Sequence, residues 1–130
     1  MTTPGDYLSQ LNSSIIRLGL DPIRQLLSSL NNPQSRYASV LIGGTNGKGS
    51  IAATTAAIMQ AAGYRVGLYT SPHLVDLRER IRVNGDMITA CDLDGLIDEI
   101  RQQVGEEITY FEFLTAVALL YFYRMQVEVA

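Results

Sequence analysis

A chain of 130 residues with a formal charge of −3 and a pI near 5.0 is long enough to bury one hydrophobic core and too short for several. The acidic balance excludes the clustered cations a nucleic-acid backbone demands; the basic trio Arg78, Arg80 and Arg82 is interleaved with Asp76 and Glu79 and reads as an internally paired face. A single cysteine, Cys91, and a single histidine exclude an intrachain disulfide and a Cys/His metal cluster, so a reducing cytoplasm is the expected compartment.

The first ten residues, broken by Asp6 and Gln10, predict no signal segment. Tyr7, Leu8, Leu11, Ile15 and Leu18 fall on one helical face, which predicts a helix ended by Gly19. Asp21 as N-cap with Pro22 behind it predicts a second helix burying Ile23, Leu26, Leu27 and Leu30. The loop Asn31-Asn32-Pro33-Gln34-Ser35 closes this helical lead-in, residues 1–35.

Ala38 to Ile42 reads as a short buried strand, followed by Gly44, Gly47 and Gly49 around Lys48. Ile51, Ala52, Ala56, Ile58, Met59 and Ala62 then predict a helix that Gly63 ends, and Tyr64 to Tyr69 a second strand. Strand, loop, helix and strand make a βαβ unit whose crossover is right-handed in nearly all known cases. Its loop falls at the carboxyl end of a strand, where open α/β sheets bind ligands.

Asn84-Gly85 between Ile81-Arg82-Val83 and Met87-Ile88 predicts a two-residue type I′ hairpin. Leu93, Leu96, Ile97, Ile100 and Val104 predict an amphipathic helix capped by Asp92, and a more apolar helix runs from about Phe111 to Met125. Its apolar run, Phe113 to Tyr123, is bounded by Glu112 and Arg124 and is too short to cross a bilayer, so no membrane partner is expected. Val127 to Ala130 opens another strand, and the sheet so begun is expected to be incomplete.

The chemistry concentrates at residues 43–50. Glycines let successive N–H groups turn inward, the helix that follows adds its positive end, Lys48 supplies a full charge, and Ser50 offers a hydroxyl to Mg²⁺. The strict phosphate-loop pattern needs a glycine where Ile42 stands and a hydroxyl where Gly49 stands. On these residues alone, a flexible strand-to-helix turn with a surface lysine is the alternative.

Gly44-Thr45-Asn46-Gly47-Lys48-Gly49-Ser50, then Tyr69-Thr70-Ser71-Pro72-His73-Leu74 and Glu79-Arg80-Ile81, resemble the folylpolyglutamate synthase / dihydrofolate synthase family of ATP-dependent amide ligases, part of the Mur-ligase group. Tyr7-Leu8, Leu18-Gly19-Leu20-Asp21 and Thr109-Tyr110-Phe111-Glu112 extend the likeness along the chain, and the shifted hydroxyl is the form this family uses. The resemblance implies an α/β fold: the N-terminal part of a P-loop, Mur-ligase-like ATPase domain, with a mainly parallel sheet flanked by helices. Family members run for several hundred residues, so it also implies that the rest of that domain and a C-terminal glutamate-ligase domain are absent from these 130 residues.

The implied reaction joins L-glutamate to folates, or to dihydropteroate, through an acyl phosphate formed from ATP. Implied site residues are Lys48 for the moving phosphoryl group, and Gly44, Thr45, Asn46, Gly47, Lys48, Gly49 and Ser50 for the phosphates. Ser50 and Ser71 would serve Mg²⁺, and Arg17, Leu18, Thr109, Tyr110 and Phe111 the pterin. Other readings remain open beside these: Ser71 as a turn hydroxyl, Tyr110 and Phe113 as core aromatics, Glu112 as a helix-terminal carboxylate, and His73 as a loop hydrogen-bonder that is no catalytic base. The implied partners are small molecules, and the implied full-length form is a monomer. Alternatives for the whole are a non-catalytic nucleotide-binding fragment, or a Mur-type ligase joining an amino acid to a cell-wall nucleotide.

Overall fold

The structure, a computed structural model, describes residues 3–11, 19–44, 46–104 and 108–130. The chain divides into two compact units, one of residues Met1–Pro33 with Ala90–Tyr121 and one of Gln34–Thr89 with Phe122–Ala130. Among the described residues no helix is long and apolar enough to cross a membrane.

The first unit is helical. Helix α1 (Pro4–Gln10) starts where the Thr3 hydroxyl accepts the Asp6 N–H at 3.1 Å, with Pro4 in the first position. It stops after Gln10, because Leu11 is extended at φ −73°, ψ 139°. The helix expected to run to Gly19 therefore ends its first stretch at Gln10. Ile15 and Leu18 lie outside the described residues.

Helix α2 (Asp21–Ser29) takes Leu20, not Asp21, as its N-cap; Asp21 is the first helical residue, its charge against the positive end. Leu26 and Leu27 are buried, Ile23 and Leu30 only half-buried. Helix α4 (Ala90–Arg101) buries Leu93, Leu96, Ile97 and Ile100 on one stripe and begins two residues before the expected cap, Asp92. Helix α5 (Tyr110–Arg124) carries the largest fully enclosed side chain of this unit, Phe113, and the Tyr7 ring meets Phe113 edge-on at 5.1 Å.

The second unit is built on a sheet. Residues 38–40 hydrogen-bond to 128–130: the Ala130 N–H donates to the Ala38 carbonyl at 2.9 Å and the Val40 N–H to the Ala130 carbonyl at 2.8 Å. On its other side the same segment receives the Gly67 N–H at the Val129 carbonyl, 2.9 Å, and both bridges through Val129 are parallel. The strand expected after Met125 thus lies between the two strands of the βαβ unit. Strand β1 (Gly67–Tyr69) then pairs antiparallel with β2 (Ile81–Val83), with Leu68 opposite Arg82, and β2 with β3 (Asp86–Met87).

The hairpin turn has Asn84 at φ 49° and Gly85 at φ 87°, the pair of positive values a type I′ turn demands. Asn84 also accepts the Val66 N–H through its side-chain oxygen and donates its own N–H to the Val66 carbonyl, both at 2.8 Å, so the turn is tied to the head of β1.

One expectation of burial fails in this unit, and one apolar helix stays uncovered. Val40 is exposed and Leu41 is 97 % exposed, although the run 38–42 reads as a buried strand. Helix α3 (Lys48–Ala61), apolar and closed by Gly63 at φ 100°, buries none of its residues, with Ile51 and Ile58 exposed. Among the described residues, 38–40 is bonded along one edge only, and no residue of α3 is fully buried.

Gly67 shows the opposite situation. A Cβ there would stand 2.6 Å from Phe122 Cδ1, and the Phe122 ring is buried. Gly67→Ala is expected to destabilise the protein by about 1–3 kcal/mol through forced repacking. Urea unfolding checks this, and an unchanged midpoint would contradict the close packing of strand on ring.

Candidate nucleotide-binding site

Because 38–40 and β1 both run parallel to 128–130, their carboxyl ends share one edge of the sheet. The loops at 43–47 and 70–80 both leave from that edge, on strands two places apart, roughly 10 Å at ordinary sheet spacing.

In the first loop Gly44 (φ 142°) and Gly47 (φ 73°) take backbone conformations that side-chain-bearing residues resist. Gly47 is the N-cap of α3, which begins at Lys48, three residues ahead of the first apolar position. No side chain caps this helix among the described residues, and its first turn holds no acidic group. The N–H groups of a first helical turn have no intrahelical acceptor, so the end of α3 presents donors and partial positive charge together. Lys48 and Ser50 are exposed.

Glycine serves differently across the loop. Gly49 lies inside α3 and has no positive φ, so the tight turn does not require it. A Cβ at Gly43, Gly44, Gly47 or Gly49 would meet nothing within 4 Å, so no packing enforces these glycines as Phe122 enforces Gly67. Around these four glycines the loop is open space. Asn46 is described and exposed; Thr45 lies outside the described residues.

The second loop is organised by two carboxylates. Glu79 accepts the N–H groups of Leu74 (2.9 Å), Val75 (3.1 Å) and Asp76 (2.9 Å), while Asp76 accepts the Arg78 N–H at 2.9 Å and pairs with its guanidinium at 2.9 Å. This capping box opens the 3-10 turn Leu77–Arg80. Arg80 Nε donates to His73 Nδ1 at 2.8 Å, and Arg82 donates to the Gly85 carbonyl at 3.1 Å. The basic trio is thus paired within its own neighbourhood. Ser71 is exposed at the start of the loop, joined to Pro72 by a cis bond.

The Arg78 side chain and N–H hold the Asp76 carboxyl below the usual range, and the N–H of Leu74, then that of Asp76, does the same for Glu79. Carboxylates depressed in the folded state contribute stability in full above the unfolded value of about 4, and lose it as pH falls through the depressed values. The Glu79 carboxyl is therefore expected to titrate below the ordinary glutamate range, with Leu74 and Val75 amide protection lost in the same step. A carbon-detected titration giving an ordinary glutamate midpoint would contradict the three-amide anchor.

In the helical unit, Thr109 is buried and its polar atoms are engaged. Its hydroxyl accepts the Glu112 N–H at 3.2 Å and donates to Glu112 Oε1 at 3.0 Å, and its N–H donates to the same oxygen at 3.1 Å. Glu112 is thus a helix-terminal carboxylate. Phe113 is fully enclosed, Tyr110 is half-buried, and Phe111 is the aromatic turned outward, 52 % exposed. Arg17 and Leu18 lie outside the described residues.

Both capping boxes carry a readable spacing, Asp76-x-x-Glu79 and Thr109-x-x-Glu112. The Arg80–His73 pair has no such signal, since it spans seven residues across a turn.

No protein-family model matches the chain. It is 40% identical over 131 residues to the probable bifunctional folylpolyglutamate synthase/dihydropteroate synthase of Haloferax volcanii, covering 96% of this chain and 16% of that protein. It is 38% identical over 124 residues to the dihydrofolate synthase/folylpolyglutamate synthase of Escherichia coli, covering 95% of this chain and 29% of that one. Among solved structures, the Mycobacterium tuberculosis folylpolyglutamate synthase complexed with ADP superposes with a TM-score of 0.91 at 34% identity, over 97% of this chain and 30% of that one. The chain spans between 15% and 30% of the length of the curated relatives it matches. Along its own length the chain is similar to a part of these folylpolyglutamate and dihydrofolate synthases.

Proposed function

We propose that these 130 residues supply the phosphate-binding portion of an ATP-dependent ligase that adds L-glutamate to a folate or to dihydropteroate, as the N-terminal part of its ATP-binding domain. The observation that carries this is the glycine-built, uncapped start of α3 with Lys48 beside it, at the carboxyl edge of the sheet.

The reaction begins with two anions meeting, a carboxylate and a triphosphate, so positive charge is needed where the γ-phosphoryl group moves. Lys48 provides it. The N–H groups of Asn46, Gly47, Lys48 and Gly49 hold phosphate oxygens. The γ-phosphoryl group passes to the carboxylate with ADP leaving, and the amine of glutamate then attacks the acyl phosphate, which releases phosphate and the amine's proton as the amide forms.

Mg²⁺, when bound, neutralises the phosphate charge. Ser50 and Ser71 are hard oxygen donors of the kind it takes, but no group of three His, Cys, Asp or Glu able to hold a metal occurs among the described residues. Mg²⁺ binds commonly through few protein oxygens, waters and substrate phosphates, so these two hydroxyls fit in kind as a partial set. Phe111 supplies an exposed aromatic face to the pterin, beside Tyr110 and Thr109 at the start of α5, and Arg17 and Leu18, outside the described residues, complete the proposed set. The reading carries a cytoplasmic location and a monomeric full-length form.

The test is glutamate incorporation dependent on ATP. The 130-residue chain by itself is expected to bind nucleotide without turnover, and the chain fused to the remaining portion of the Escherichia coli relative to incorporate glutamate. A folded fusion with no incorporation on any pteroyl acid would overturn the proposal.

A further inference from the structure

His73 is the sole histidine of the chain, and what faces its ring decides what it can do. Arg80 Nε donates to His73 Nδ1 at 2.8 Å. A guanidinium offers only N–H donors and keeps its charge at any physiological pH, so the nitrogen it faces must present a lone pair. The proton of the imidazole then resides on Nε2, on the side of the ring away from Nδ1. With one nitrogen accepting and the other protonated, the ring has no free lone pair to take a proton from a reacting group.

The backbone next to His73 is held as firmly as the ring, by the Glu79 carboxylate that receives the N–H groups of Leu74, Val75 and Asp76. This loop leaves the same edge of the sheet as the 43–47 loop. We infer that Arg80 is a positioning residue that fixes His73 as an Nε2–H donor to an anionic oxygen of the bound reactants, phosphate or carboxylate. The inference rests on the proposed function for its ligand, and on the geometry alone for its tautomer.

A lone histidine makes the test direct, because ¹⁵N-histidine labelling gives a single imidazole signal set for the intact chain. At neutral pH the two-bond ¹H–¹⁵N pattern is expected to show the Nε2–H tautomer, and Arg80→Leu to convert it to a tautomer mixture. An Nδ1–H or doubly protonated ring in the unmodified chain overturns the inference whether or not the variant folds. A nonhydrolysable ATP analogue with magnesium, and dihydropteroate alone, are then added separately. A shift of the Nε2 signal with the first names phosphate as the acceptor and with the second carboxylate. Amide changes at 43–50 with a silent His73 under both ligands defeat the donor role alone, whereas silence at 43–50 as well defeats the functional reading beneath it.

Discussion

Replacing Lys48 by alanine in the fused, full-length ligase is expected to lower turnover on the order of 10²-fold or more, the size seen when a charge donor to a transition state is removed. The expectation follows from what surrounds the lysine. Glycine backbone and the end of α3 present partial charges, with no acidic residue in the first turn, and Lys48 adds a full positive charge in the same place. Its side chain is exposed, so alanine should leave stability within about 0.5 kcal/mol, and lost turnover would report chemistry and not folding. Lys48→Arg keeps the charge and should retain part of the activity. A folded Lys48→Ala ligase with near-normal turnover would remove the lysine from the mechanism.

The largest stability loss is expected at Phe113. Its ring is wholly enclosed and touches Tyr7 edge-on, so Phe113→Ala should cost about 3–5 kcal/mol, a large share of the ~5–15 kcal/mol that holds a typical domain together. Phe111, two residues earlier, is the control. It is half exposed, and Phe111→Ala should change stability little while weakening binding of the pteroyl acid. Denaturant midpoints for the pair check the assignment of one ring to the core and the other to the surface; equal losses would contradict it.

What the sequence revealed was local. Gly63 ends α3 with positive φ, Asn84-Gly85 makes the I′ turn, and Gly44 and Gly47 take the conformations that only glycine adopts cheaply, all because a few adjacent residues settle each outcome. What it hid depends on distant partners. Nothing near Val129 announces that it lies between Ala38 and Val66, and nothing near His73 announces Arg80. The apolar run at 38–42 signals burial only where another layer covers it, and composition cannot say whether that cover is within the 130 residues. Helix starts shifted by one to three residues for a related reason: backbone geometry at Leu20 and Gly47 set them, ahead of the side chains that the pattern made prominent.

The central claim is that residues 43–50 hold a nucleotide's phosphates. Titrating the isotope-labelled 130-residue chain with magnesium and a nonhydrolysable ATP analogue, and following its amide signals, tests it most directly. The account predicts saturable shifts concentrated at Gly43 to Ser50 that weaken in Lys48→Ala. Saturation that leaves those amides unmoved, with the changes falling elsewhere on the chain, would contradict it.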